Sequence, residues 1–274
     1  MFFKKNSAST TQSGADAQRL VLVTGAASGL GLEIAKEYLA KGERVILTDI
    51  HDDTPDTVSS LSGDWSYQKL DVTSEDEWAA TAEGIDSLDV LISNAGIAVG
   101  GRISDTSIAT WQKALDINLL GSVRGLRAML PKIAEGGRIS LTASLAGLVH
   151  APGMATYNAT KASTVALAET LDAEVRHRGI SVSALCPQFF KSGLASSLTG
   201  DDEKADDVAR WLLTNTWLDA KTVARRGVKG IEARRVVVTP DAFAIFSWYS
   251  KRFSRIPYLV LLRVGGGIVA KKFG

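Results

Sequence analysis

The chain has 274 residues, 45% hydrophobic and 22% charged, which is enough for one large α/β domain or two small ones with a sizeable buried core. Cys186 is its only cysteine, which excludes an intramolecular disulfide and a cysteine cluster for zinc and fits a reducing, intracellular setting. The net charge of +1 conceals a division: residues 221–274 carry twelve Lys/Arg and two acids for +10, and the other 220 residues sum to −9.

Met1-Phe2-Phe3-Lys4-Lys5-Asn6 and the Ser/Thr/Gln/Gly-rich stretch to Gln18 lack the apolar core of a secretory signal, so residues 1–18 read as a flexible leader. From residue 19 apolar runs alternate with helical patterns, the rhythm of a parallel sheet covered on both faces. Strands are expected at Leu20 to Thr24, Arg44 to Thr48, Trp65 to Lys69, Val90 to Ser93, Arg138 to Thr142, Ser181 to Leu185 and Arg235 to Thr239. Helices are expected at Gly29 to Ala40, Glu75 to Ala82, Ile108 to Ile133 (trimmed or bent by Pro131) and Tyr157 to Arg178. No linker interrupts the alternation before residue 190, so residues 19–240 read as one doubly wound α/β domain. Within it, residues 193–230 break the rhythm and read either as a substrate lid or as an ordinary insert whose Trp211, Leu212, Leu213 and Trp217 fill the core.

The first strand runs into Thr24-Gly25-Ala26-Ala27-Ser28-Gly29-Leu30-Gly31 at a helix start. Small residues there let a backbone approach a pyrophosphate, and the helix N-terminus offers free N–H groups and a positive dipole end. The spacing is G-x-x-x-G-x-G, and a glycine turn alone also suits any strand-to-helix connection. Asp49 ends the second strand 18 residues beyond Gly31, where a dinucleotide fold places an acid on the adenosine ribose hydroxyls. Such a carboxylate repels a 2′-phosphate, and neither Ser28 nor Ile50 supplies a cation to hold one, which favours NAD over NADP. The alternative is that Asp49 only begins the polar loop His51-Asp52-Asp53.

Further on, Tyr157 and Lys161 stand four apart in Tyr157-Asn158-Ala159-Thr160-Lys161, thirteen residues after Ser144. Residues i and i+4 share a helix face, so the ammonium can lie beside the phenol and lower its pKa from about 10. A phenol so tuned can exchange a proton with a substrate oxygen. The Ser144 hydroxyl, at the end of the fifth strand, can stabilise negative charge developing on that oxygen.

With the glycine turn, Asp49, Ser93-Asn94-Ala95-Gly96, Asn118, Ser144 and Tyr157/Lys161 in this order, the chain resembles the short-chain dehydrogenase/reductase family over residues 19–192. The resemblance implies a single doubly wound (Rossmann) domain with a seven-stranded parallel sheet and an oxidoreductase that moves hydride between nicotinamide and an alcohol or carbonyl substrate. It implies Asp71 and Val72 beside the adenine, and Asn94, Ala95 and Gly96 along the cofactor. Pro187 to Ser192, Phe190 included, would cover the nicotinamide amide. Tyr157 would be the acid in reduction and the base in oxidation, and Lys161 would also bind the nicotinamide ribose. Asn118 would help hold a water in a proton relay to Lys161. Dimers or tetramers through the helices at 108–133 and 157–178 are implied too. Two departures stand out: Gln188 follows Pro187 where the family commonly has glycine, and Thr239-Pro240-Asp241-Ala242 lacks the usual glycine pair.

Residues 241–274 form a basic, aromatic extension that interleaves Phe, Trp, Tyr and aliphatic residues with Lys251, Arg252, Arg255, Arg263, Lys271 and Lys272. Arg263 and Gly265-Gly266-Gly267 interrupt it too often for a membrane span, leaving peripheral membrane contact, a cap on the substrate pocket or an oligomer contact. No recognisable nucleic-acid-reading module accompanies the charge. The expectation is a cytoplasmic NAD-dependent alcohol dehydrogenase or carbonyl reductase with an apolar substrate and no metal, with membrane association as an open alternative. The alternatives are a catalytically silent nucleotide-sensing or scaffold protein of the same fold, and a membrane-docked dehydrogenase of lipid, retinoid or steroid type.

Overall fold

A computed structural model describes residues 18–191 and 216–273. Seven parallel strands form the sheet: β1 (Leu20–Thr24), β2 (Arg44–Asp49), β3 (Trp65–Lys69), β4 (Leu88–Ser93), β5 (Ile133–Thr142), β6 (Ser181–Leu185) and β7 (Val237–Val238). Their order is β3-β2-β1-β4-β5-β6-β7. Successive side chains of a strand face opposite ways, and β1 shows the consequence: Leu22 enters one apolar layer while Val21 and Val23 enter the other. Helices α1 (Gly29–Leu39), α2 (Asp56–Ser59) and α8 (Ala220–Glu232) cover the second face. The first is covered by α3 (Glu75–Glu83), α5 (Gly121–Met129) and α7 (Ala155–Val175), with Trp78, Met129 and Ala168 in its core. This is a single doubly wound Rossmann-fold domain, and a helical C-terminal extension, α9 (Ala242–Phe253) and α10 (Arg255–Phe273), follows it.

The long helix expected at 108–133 is divided. Helix α4 (Ile108–Leu115), capped by the Ser107 hydroxyl on the Thr110 N–H, passes through a π turn at Asp116–Leu120 into α5. A 3-10 turn with Pro131 then stops the helix, because proline lacks the N–H that continuation needs. Ile133, expected as a helix end, is instead the first residue of β5, pairing with Leu88. The ladder resumes at Val90 opposite Arg138, so an irregularity containing Glu135, Gly136 and Gly137 interrupted the alternation and hid the early start of the strand. The final strand is shorter than expected, two residues instead of five.

The lid expectation for residues 193–230 needs correction where the structure describes it. Residues 220–230 belong to α8, whose Val223, Ala224 and Val228 are buried in the core against α1. Asp219 caps that helix, its carboxylate accepting from the Thr222 N–H at 2.6 Å. Trp217 is exposed and not a core residue, while Trp211, Leu212 and Leu213 lie outside the described residues. The glycines expected to weaken a helix in the tail lie within α10.

Candidate active site

The strand order turns outward on both sides of β1, between β2 and β4, and a crevice forms there beyond the carboxyl ends of the strands. A cleft of about 370 Å³ occupies it. Its floor is the turn that joins β1 to α1. Gly25 has φ +62°, a conformation costly for a side-chain-bearing residue, and a Cβ on Gly31 would fall 2.2 Å from the Gly25 carbonyl oxygen. Ser28, Gly29 and Leu30 line the cleft from this turn, with Gly31 packed behind them. Asn94 fixes the turn to β4: its Nδ2 donates to the carbonyls of Thr24 (3.0 Å) and Gly25 (3.2 Å), and its Oδ1 accepts from Thr142 Oγ1 (3.2 Å).

At the adenine end Asp49, Ile50, Asp71 and Val72 line the same cleft. The Asp49 carboxylate accepts from the N–H groups of Ala27 (2.9 Å) and Ile50 (2.8 Å), and His51 Nε2 stands 3.9 Å away. Ala95, Gly96, Pro187 and Phe190 continue the wall toward the other end, where Tyr157 and Lys161 stand. A close-approach glycine turn at a helix N-terminus, then a carboxylate, then a lysine fit a dinucleotide: pyrophosphate at the turn, adenosine ribose at Asp49, nicotinamide ribose at Lys161.

Tyr157 and Lys161 lie on α7, both buried, and Lys161 Nζ stands 5.7 Å from the Tyr157 ring centroid. Nζ donates to the Thr142 carbonyl at 2.8 Å. The expected depression of the phenol is reversed in this protein: burial pushes Tyr157 up to about 12, and only the Ser144 hydroxyl pulls it the other way. Burial also draws Lys161 down to about 8. Desolvation disfavours the charged form of each group, which raises the pKa of a phenol and lowers that of an ammonium.

Ser144 sits at the turn out of β5, where its Oγ accepts from the Ala146 N–H (3.1 Å) and caps α6 (Leu145–Leu148). Asn118 lies in the π turn. Its Oδ1 accepts from the Ile97 N–H (2.8 Å) and its Nδ2 donates to the Ile97 carbonyl (3.0 Å). The side chain therefore fixes the wall after β4, and it does not line the cleft. A Cβ on Gly96 would lie 2.9 Å from Asn118 Oδ1 and 3.5 Å from Lys161 Nζ, so both polar groups crowd one glycine. Ser192 lies outside the described residues.

A second, largely apolar cavity of about 610 Å³ adjoins the first. Val149, Met154 and Phe189 line it from the domain; Phe243, Phe246 and Tyr258 line it from α9 and α10. The extension is fastened over it: Lys251 Nζ donates to the Leu148 carbonyl (2.6 Å), and the His150 N–H donates to the Tyr258 hydroxyl (3.1 Å). Tyr157, Pro187 and Phe190 line both cavities, Ser144 only the apolar one and Lys161 only the dinucleotide cleft. Gln188, which departs from the family pattern, lines the apolar cavity.

Sequence reasoning missed Thr142, whose carbonyl holds Lys161 and whose hydroxyl holds Asn94. Its place two residues before Ser144 at a strand end was the available signal. The liners from α9 and α10 left none beyond their composition.

Three similar proteins bear on this arrangement. A 3-alpha-(or 20-beta)-hydroxysteroid dehydrogenase of Mycobacterium tuberculosis is 33% identical over 193 residues, 67% of this chain and 73% of that protein. A short-chain dehydrogenase/reductase from Burkholderia phymatum, solved in complex with NAD, superposes with a TM-score of 0.79 at 26% identity, covering 86% of this chain and 93% of that one. A Beutenbergia cavernae protein, described as an NAD(P)-dependent gluconate 5-dehydrogenase and holding NADP at low occupancy, gives 0.70 at 26% identity, covering 84% and 98%. Solved structures of this fold thus bind either dinucleotide, and the cleft described here is an NAD(P)-type site. The family model for short chain dehydrogenases matches residues 19–203, and the chain belongs to that family of NAD(P)-dependent oxidoreductases.

Proposed function

We propose that the protein interconverts an apolar alcohol and its ketone or aldehyde, with NAD(H) preferred over NADP(H) and Tyr157 as the proton-transfer group. The observation that carries this reading is the position of Tyr157 at the junction of the two cavities, with Ser144 on the apolar side and Lys161 on the dinucleotide side.

A bound nicotinamide supplies or takes up the hydride. The chain's own residues hold the substrate and move the proton. With its pKa raised to about 12, the Tyr157 phenol carries its proton at neutral pH and is ready to give it to a carbonyl oxygen, which is the reductive direction. The Ser144 hydroxyl is a second donor to that oxygen as negative charge develops on it. In the oxidative direction the phenol must first lose its proton, which a protonated Lys161 beside it favours. Phe189, Phe243, Phe246 and Met154 give the cavity an apolar character suited to a hydrocarbon-rich substrate, in keeping with the steroid named for the mycobacterial relative. Asp49 would accept from both adenosine ribose hydroxyls and repel a 2′-phosphate, which supports the preference for NAD(H).

The test is an NADH-consumption screen over apolar and polar ketones, aldehydes and alcohols, run in both directions with wild type and Tyr157→Phe. Turnover of apolar substrates, lost in the variant while NADH still binds, is the expected result. A wild type that binds NADH and turns over nothing would instead mark a nucleotide-sensing protein.

A further inference from the structure

The apolar cavity opens on the surface of the extension, because two of its lining residues, Phe243 and Phe246, are 61% and 71% exposed. The surrounding face is apolar as well. Along α9, Phe246 and Phe253 stand seven residues apart on one side, and the Phe253 ring (the residue 76% exposed) stacks on Tyr249 at 5.9 Å. On α10, Ile256, Val260 and Val264 repeat at i, i+4 and i+8, all exposed. Cations flank these stripes: Arg252, Arg255 and Arg263 make no ion pair among the described residues, and no acid follows Asp241 in the sequence.

An exposed apolar surface ringed by unpaired cations around an apolar opening is complementary to an anionic lipid surface. A second copy of the chain fits it less well: symmetric pairing would set a face bearing Arg252, Arg255 and Arg263 against its own copy with no intervening acid. Among the described residues no helix is long and apolar enough to cross a membrane, so the contact would lie in the interface.

We propose that the α9–α10 face docks on an anionic bilayer surface, with Phe253, Ile256 and Val260 entering the acyl boundary and the arginines at the headgroups, so that apolar substrate passes from lipid through the Phe243/Phe246 opening. The delivery of substrate rests on the oxidoreductase reading above; the docking does not.

The test is co-sedimentation of the full chain with vesicles of phosphatidylcholine alone and of phosphatidylcholine mixed with phosphatidylglycerol. Two variants are compared, Arg252→Gln/Arg255→Gln and Phe253→Ser/Ile256→Ser, with circular dichroism melts checking that both remain folded. None of these four residues lines either cavity, so turnover of a short, water-soluble carbonyl should not change. Binding is expected on the anionic vesicles and should weaken with salt; the double arginine variant should lower the partition coefficient by roughly thirty-fold. The apolar variant should lower it independently of salt. Three results would overturn the proposal: no sedimentation with anionic vesicles, sedimentation unaffected by either variant, or a doubled mass in light scattering that both variants abolish without any vesicle binding. Docking with no turnover of any substrate would leave the surface assignment standing and overturn only the delivery step.

Discussion

Lys161 reaches Tyr157 from the dinucleotide side alone, with Nζ 5.7 Å from the ring centroid and anchored at 2.8 Å to the carbonyl of Thr142. The i, i+4 spacing puts the two side chains on one face of α7. Their depth in the protein, with Tyr157 8% and Lys161 4% exposed, sets their charge states. Burial favours the neutral form of each, so a buried phenol and a buried ammonium move in opposite pKa directions.

This opposition gives a pH signature for folding in the absence of cofactor. Lys161 is depressed from 10.5 to about 8, so the stability of its neutral form is fully present above 10.5 and is lost as pH falls toward 8. Tyr157 is raised from 10.0 to about 12, so its contribution is fully present below 10.0 and is lost as pH rises through 12. Lys161→Met should therefore raise the melting temperature at neutral pH, where it removes a buried charge costing about 1–3 kcal/mol, and flatten the rise between pH 8 and 10.5. The same variant should lose NADH affinity and turnover. A melting temperature that drops at neutral pH would show that the Thr142 contact outweighs desolvation.

Ser144 caps α6 and lines the apolar cavity, where the proposed mechanism gives its hydroxyl a donor role. Ser144→Ala should lower kcat by about 10²–10³. Loss of the cap should cost stability by only about 1 kcal/mol. Steady-state kinetics beside thermal melts separate the two effects, and an unchanged kcat would remove Ser144 from the mechanism.

Asp49 should set the cofactor preference. Ile50→Arg keeps the carboxylate and its contacts to Ala27 while adding a cation for a 2′-phosphate, and should raise the NADP/NAD ratio of kcat/KM by about tenfold. Asp49→Ser should raise it as well, with some loss of order in the glycine turn that the carboxylate holds. A wild-type enzyme that already prefers NADPH would reverse this assignment.

Gly31 tests the cofactor end sterically. A Cβ there would fall 2.2 Å from the Gly25 carbonyl oxygen and 2.5 Å from Asn94 Nδ2, so Gly31→Ala should displace the turn, abolish NADH binding and cost about 1–3 kcal/mol of stability. Gly84→Ala, where the nearest atom is 3.7 Å away, is the control and should keep NADH affinity. Titration of protein fluorescence with NADH reads both.

Much of this protein was legible in its sequence because much of it is local. The alternation of strands and helices, the glycine turn and the spacing from Ser144 through Tyr157 to Lys161 are short-range patterns, and short-range sterics and periodicity decide them. The register of β5 was hidden by the irregularity at Gly136 and Gly137, and the division of the long helix by a π turn that no residue type announces. Asn118 stood out through the family resemblance, but its place between the two ends of Ile97's backbone was not legible, because that contact spans 21 residues. The larger matters left to tertiary structure were the sign of the Tyr157 shift and the identity of the residues that wall the apolar cavity. A pKa follows from burial, which depends on everything packed around a group, and α9 and α10 face Ser144 and Tyr157 only because the chain returns about a hundred residues later to cover them.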